Sequence, residues 1–321
     1  MNNPQVTVII PTYKRSLYLG RAIESVLSQS YSNIQIIIVD DNNPEDEFRK
    51  KTESLMSQYL NNSAVVYLQH EKNKNGAAAR NTGIKYSNAE YIAFLDDDDF
   101  YKPDKILNQM NVLQRRDETW GGCCCFHSRR YKSYAYAIYS VNKNNTGKYS
   151  KEFLIGETST PSSTLLVRAS VFQHIGNFDE SFERHQDLEF LMRFYRSYKM
   201  KVSCNFDVCM QTEGFRNYPN SQKAFEIKSK FLNTFQEDIG LFDKKEQSLI
   251  YKNQWFEVAC LFLKDRDLKN AFRLFKKHVF VKGQIKLIDY VRVSFFLITG
   301  YFPVIRKITS YILGITLYRN Y

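Results

Sequence analysis

Four short apolar runs, separated by amphipathic stretches, dominate the first hundred residues. Val6 to Ile10 is rich in β-branched residues and ends at Pro11, and Ile34 to Val39 is apolar apart from Gln35 and ends at Asp40-Asp41. Ala64 to Leu68 and Tyr91 to Leu95 follow. Between them, Ser16 to Gln29 sets Leu19, Ile23, Val26 and Leu27 on one helical face with Ser16 placed to cap it. Asp46 to Leu60 reads as a polar-faced helix and Gly76 to Lys85 as a third. Strands alternating with helices need crossover connections, which make a mostly parallel sheet. Runs apolar on both faces fit strands covered on both sides. The expected class is therefore α/β, a Rossmann-like mixed, mostly parallel sheet flanked by helices.

Beyond Tyr101 the pattern loosens. Pro103 to Arg115 predicts a helix with proline in its first turn. Gly121 to His127 and Thr164 to Val167 predict strands, Tyr131 to Tyr149 a hairpin or loop, and Asp187 to Tyr198 a helix. From Ser221 to about Phe280 the signal is helical, with Trp255 to Val279 resembling a helix–turn–helix whose turn lies near Asp265 to Asp267. No period of 20–50 residues recurs, which argues against a repeat protein. The division expected is an α/β domain over residues 1–220 and a helical, basic C-terminal region over 221–321.

Charge is unevenly spread. The chain of 321 residues carries a net charge of +11, and from Tyr251 onward thirteen Lys and Arg face only four Asp and Glu. A basic end points to an anionic partner, such as phospholipid, a pyrophosphate-linked acceptor or nucleic acid. The six cysteines form no CxxC pair, so neither a zinc site nor a disulfide framework is indicated. The N-terminus lacks the basic-then-apolar pattern of a signal peptide, and no run of about 20 apolar residues predicts a membrane span. These features predict a cytoplasmic protein.

In open parallel sheets ligands bind at the carboxyl ends of the strands. Pro11-Thr12-Tyr13, Asp40-Asp41 and Asp96-Asp97-Asp98-Asp99 all fall at such ends. The aspartate run is the most telling, because each close like-charge pair costs roughly 1 kcal/mol even when screened. A divalent cation offsets that repulsion. Mn2+ and Mg2+ favour oxygen ligands and take one or two protein carboxylates together with substrate phosphates. The bland alternative is a solvated acidic turn. Asp41 is placed either to meet a nucleobase or ribose or to cap a turn before Asn42-Asn43-Pro44, and Arg80 either to meet phosphate or to lie on the surface. Asp187, in the first turn of its helix, is either a favourable acid at a helix N-terminus or a base for an acceptor hydroxyl. Gly76 is followed by neither a dinucleotide fingerprint nor a P-loop.

At these residues the sequence resembles the family 2 glycosyltransferases with the GT-A fold, over roughly residues 5–220. The resemblance rests on Val8-Ile9-Ile10-Pro11-Thr12-Tyr13 with Arg15, Ile37-Ile38-Val39-Asp40-Asp41 and Gly76-Ala-Ala-Ala-Arg80-Asn81. It continues through Tyr91-Ile-Ala-Phe-Leu-Asp96-Asp97-Asp98-Asp99, Pro103-Asp104, Gly176-Asn-Phe178-Asp179-Glu180 and Gln186-Asp187. It implies that Pro11, Tyr13 and Asp41 hold the base, that Arg80, Asp96 and Asp97 complete the donor site, with Asp96 at the ribose, and that Asp98 meets Mn2+ or Mg2+. Asp187 is then the catalytic base. The family's usual Glu-Asp pair is Gln186-Asp187 here, which leaves the role of residue 186 open. The Gln-x-x-Arg-Trp signature of processive synthases is absent, which favours transfer of one sugar over polymerisation, and the resemblance implies a single displacement with inversion. The implied donor is a UDP-sugar and the acceptor a lipid-linked saccharide in assembly of a bacterial surface polysaccharide. With the basic tail, this places the chain peripherally on the inner face of the cell membrane, with no nucleic acid as partner. The alternatives are a nucleotidyltransferase, which needs a glycine-rich loop that Pro11-Thr12-Tyr13-Lys14-Arg15 lacks, and a non-catalytic binding module, which leaves the aspartates unexplained.

Overall fold

The computed structural model describes residues 3–131, 134–138, 147–156, 158, 160–211 and 219–280. The first elements are β1 (Val6–Thr12), α1 (Ser16–Leu27), β2 (Ile34–Asp40), α2 (Glu47–Met56), β3 (Val65–Gln69), α3 (Gly76–Tyr86) and β4 (Tyr91–Phe94). Then come β5 (Phe100–Tyr101), α4 (Lys105–Leu113), β6 (Trp120–Tyr131), β7 (Tyr134–Ile138), α5 (Ser150–Leu154), β8 (Leu166–Arg168), α6 (Ala169–Ile175), α7 (Gln186–Ser197) and β9 (Lys199–Gln211). The last are α8 (Ser221–Thr234), α9 (Gln236–Gly240), α10 (Lys244–Lys264) and α11 (Leu268–Leu274). These residues fall into two compact units, one within residues 1–150 and 158–214, the other from residues 151–157 and 215 onward.

The first unit is built on a sheet of order β3-β2-β1-β4-β8-β6-β9-β5, with β7 paired to β6. Its first four strands are parallel, as the strand–helix alternation requires. The second half is mixed: β8 runs antiparallel to β4 and β6, while β6 and β9 are parallel. Alternate side chains leave the parallel strands on opposite faces. Val8, Ile10, Ile36 and Ile38 pack with Leu19, Ile23 and Val26 of α1 and with Ile106 and Met110 of α4. On β4, Phe94 meets Phe172 of α6 and Phe178 edge-on, at centroid distances of 6.0 and 5.2 Å, and Phe178 lies 4.9 Å from Phe190 of α7. That aromatic cluster fixes α6 and α7, so the start of α7 is rigidly placed.

The expected hairpin after residue 131 is present in β7, which pairs with β6 from Tyr131↔Tyr134 to His127↔Ile138; the rest of that stretch, 139–146, lies outside the described residues. The second unit is helical. Asp243 and Glu246 form a capping box on α10, and α10 and α11 are joined by a turn at Asp265–Asp267 with Arg266 at φ 61°. Phe225 of α8 lies 5.2 Å from Trp255 of α10. No helix among the described residues is long and apolar enough to cross a membrane.

Candidate active site

The carboxyl edge of β1–β4 gathers the acidic residues. Asp40, the last residue of β2, is buried and ion-paired to buried Arg49 at 3.1 Å, while Tyr67 Oη donates to it at 2.6 Å. Burial still lifts its carboxyl above the ordinary range. Asp41 is bonded at every acceptor position. Its Oδ1 meets His70 Nδ1 at 2.7 Å and accepts from the Lys74 amide at 2.8 Å; its Oδ2 accepts from Asn73 Nδ2 at 2.8 Å and the Asn75 amide at 2.9 Å. Asp41 thereby sets the course of residues 70–75, which lead into α3. Pro11 and Thr12 end β1, and Tyr13 beyond them is 39% exposed, with Lys14 Nζ 5.1 Å from its ring centre.

The four aspartates after β4 divide by environment. Asp97 and Asp99 turn inward. Asp97 accepts from Thr12 Oγ1 at 2.8 Å, and burial together with its acidic neighbours pushes its carboxyl up to about 7. Asp99 accepts from Ser163 Oγ at 2.7 Å and is raised well above the ordinary range by burial and by Asp96 and Asp98. Asp96 and Asp98 face outward, with side chains 34% and 17% exposed. Arg15 Nη1 lies 2.8 Å from Asp98 and 3.4 Å from Asp97, so one guanidinium spans both. Arg21 Nη2 donates to the Asp98 carbonyl at 2.7 Å and fixes the turn.

Arg80, on α3, donates from Nη2 to Asp96 Oδ1 at 2.6 Å and from Nη1 to Gln186 Oε1 at 3.0 Å. It thus ties the aspartate turn to the start of α7. Asp187, next to Gln186, is half-buried. Desolvation raises its carboxyl, and the Arg80 charge opposes that rise. Glu189 is spoken for by Arg193, at 2.6 and 2.8 Å, and Asp179 by the amide and hydroxyl of Ser181. The residues flanking these turns are strained: Lys14, Asn75 and His185 take φ of 59°, 87° and 63°. Among the candidate site residues, the Tyr13 amide donates to Asp97 at 3.4 Å, Asp97 and Asp98 share Arg15, and Asp96 meets Arg80, which reaches Gln186 beside Asp187. Sequence reasoning passed over Ser163 and assigned no role to Gln186 or Arg15, although Arg15 stands in a quoted motif.

The outward pair suits a hard divalent cation, since carboxylate oxygens are the donors Mn2+ and Mg2+ prefer. Among the described residues no three acidic, His or Cys side chains form a ready-made cage. One or two carboxylates plus phosphate oxygens meet the coordination demand of such an ion.

A half-parallel sheet with an aspartate run at the end of its fourth strand, covered by helices on both faces, is the GT-A fold of glycosyltransferases. The chain belongs to glycosyl transferase family 2, whose model matches residues 7–203. An uncharacterised glycosyltransferase of Rickettsia prowazekii is 32% identical over 200 residues, 60% of this chain and 59% of that protein. The chain thus matches about three fifths of the length of that relative. The amylovoran biosynthesis glycosyltransferase AmsB of Erwinia amylovora is 27% identical over 208 residues, 60% of this chain and 64% of its own. The Escherichia coli UDP-Glc:alpha-D-GlcNAc-diphosphoundecaprenol beta-1,3-glucosyltransferase WfgD is 28% identical over 151 residues, 46% of this chain and 52% of its own. Among solved structures, Staphylococcus aureus TarS 1–349 in complex with UDP-GlcNAc superposes with TM-score 0.57 at 16% identity, covering 93% of each chain. The mannosyltransferase PcManGT of Pyrobaculum calidifontis, in complex with GDP-Man and Mn2+, gives 0.58 at 14% identity, covering 97% of this chain and 84% of that one. At such identities the structures establish the fold.

Proposed function

We propose that this family 2 glycosyltransferase moves one sugar from a UDP-sugar to an acceptor hydroxyl with inversion, in assembly of a bacterial surface polysaccharide on a lipid carrier. The observation that carries this reading is Arg80, which pairs with Asp96 of the aspartate turn and with Gln186, the neighbour of Asp187. Pro11 and Tyr13 border the nucleoside, and Asp41 shapes that wall by fixing residues 70–75. Asp96 meets the ribose. Asp97 acts from behind, aligning Thr12, the Tyr13 amide and Arg15. Asp98 would hold Mn2+ or Mg2+, and the ion when bound would supply Lewis acidity and charge neutralisation for the leaving diphosphate.

The acceptor oxygen attacks the anomeric carbon as Asp187 takes its proton, and the bond to the nucleoside diphosphate breaks on the opposite face. Desolvation makes Asp187 a stronger base than a solvated aspartate. Arg80 shares the charge that develops on the diphosphate. The UDP donor is supported by the TarS complex with UDP-GlcNAc and by the UDP-Glc-dependent WfgD, the metal by the PcManGT complex with GDP-Man and Mn2+, and the lipid-linked acceptor by the diphosphoundecaprenol substrate of WfgD. The basic end of the chain supports a position on an anionic membrane face, although residues 281–321 lie outside the described residues.

Labelled UDP-sugars incubated with the protein, Mn2+ and a lipid-linked saccharide test this directly. Label in the acceptor with release of UDP is expected. Label retained in the donor across a panel of sugars and acceptors, or formation of a new nucleotide sugar, overturns the reading.

A further inference from the structure

We propose that Gln186 is a positioning residue for Arg80: its neutral amide fixes the guanidinium without neutralising it, leaving that charge for the diphosphate of the donor. The inference rests on the reading of the crevice as a nucleoside-diphosphate site. Gln186 is 9% exposed and Arg80 8%, so their contact is made largely out of water. The amide is used at both ends. Its Oε1 accepts from Arg80 Nη1 at 3.0 Å, and its Nε2 donates to the Phe182 carbonyl at 2.9 Å and to Asn75 Oδ1 at 3.4 Å.

A carboxylate at this position would still accept from Arg80. It would have no proton for the Phe182 carbonyl or for Asn75, and it would give Arg80 a second anion beside Asp96, which already touches it at 2.6 Å. With an amide, one contacting carboxylate faces one guanidinium. A third group feels the same charge, since Arg80 lowers the desolvation-raised carboxyl of Asp187. The strength of an arginine toward a phosphate therefore depends on residue 186 remaining neutral.

The packing around the pair is built for this contact. A Cβ on Gly76 would stand 3.1 Å from Arg80 Nη1 and 3.3 Å from Gln186 Oε1, so the Arg80–Gln186 bond lies directly over a residue with no side chain. Asn75, the other partner of the amide, is held at φ 87° with its amide N–H on Asp41. Gln186 thus also connects the loop that Asp41 fixes to the helix that presents Asp187.

Binding of UDP and of uridine, measured by calorimetry with Mn2+ present, separates this role from a merely structural one. Gln186→Glu is expected to weaken UDP about tenfold while uridine affinity stays within about twofold, because uridine carries no phosphate. The same variant moves the acid limb of the pH–rate profile upward, as a second carboxylate then adjoins Asp187. Gln186→Met, which removes both bonds and adds no charge, is expected to lower kcat about tenfold with UDP affinity within about threefold. Circular dichroism and melting confirm the folded state, and the Met variant decides the matter if the Glu variant does not fold. Equal weakening of UDP and uridine by Gln186→Glu, or wild-type kcat in Gln186→Met, overturns the proposal. Failure of the wild-type protein to bind UDP at all overturns the reading of the crevice and this inference with it.

Discussion

Asp187 stands half-buried in the first turn of α7, and the desolvation that raises its carboxyl is partly undone by Arg80. As a base it works only when ionised. Activity therefore falls as pH drops through its raised pKa, and the acid limb of kcat/KM lies above the value of about 3.9 for a solvated aspartate. Asp187→Asn keeps the shape and removes the proton acceptor, so kcat is expected to fall by about 10²–10⁴ with UDP affinity nearly unchanged. Steady-state kinetics and calorimetry on the variant check this, and a rate within threefold of wild type places the base elsewhere. The other carboxylates show how differently one residue type is used within a single crevice. Asp41 and Asp97 are buried against the protein's own amides, hydroxyls and arginine, whereas Asp96 and Asp98, each paired to an arginine, stay partly exposed.

At the scale of elements, the contact of α3 with β1 decides how close the helix bearing Arg80 approaches the sheet. A Cβ on Gly83 would fall 2.6 Å from Ile9 Cγ2 and 2.9 Å from its Cγ1. Alanine is favoured over glycine within a helix by about 1 kcal/mol, but overpacking a fitted core costs typically 1–3 kcal/mol. Ile9 is fully buried, so the clash wins. Gly83→Ala is expected to lower the melting temperature by about 2–6 °C, read by calorimetry; a rise in melting temperature contradicts the packing described. The parallel half of the sheet was legible because each strand there is a nearly continuous apolar run, the strands alternate with helical stretches, and α1 shows one apolar face. β9 went unread although its sequence carries the signal: Met200, Val202, Cys204, Phe206, Val208 and Met210 stand at every second position between Lys199 and Gln211, the pattern of a half-buried strand. What that pattern does not carry is the pairing, whose register against β6 shifts at Cys125/Phe126 and Phe126/His127. The aspartate run stood out as a candidate site because it closely follows β4. Which of its members face outward was not, since that depends on Thr12, Arg15 and Ser163, brought in from elsewhere in the chain.

Across the whole molecule, charge is segregated. The net charge of +11 lies mostly beyond Tyr251, while the carboxyl edge of β1–β4 gathers Asp40, Asp41 and Asp96 to Asp99. A basic end gains about 1 kcal/mol per Lys or Arg near an anionic bilayer, and that gain fades with salt. Flotation with anionic vesicles is expected to carry the full chain at low salt and to release it at high salt, and a chain ending at Asp289 is expected to float less. Equal flotation of both, or none, rules out the C-terminal residues as the membrane contact. The account centres on a crevice that takes a nucleoside diphosphate together with a divalent ion at Asp98. Calorimetric titration of UDP into the wild-type protein and into Asp98→Ala, each with Mn2+ and again in EDTA, tests that most directly. The account predicts that chelation weakens wild-type binding by at least about tenfold and that Asp98→Ala binds weakly in both conditions. Wild-type affinity unchanged in EDTA, or full metal dependence surviving in Asp98→Ala, contradicts it.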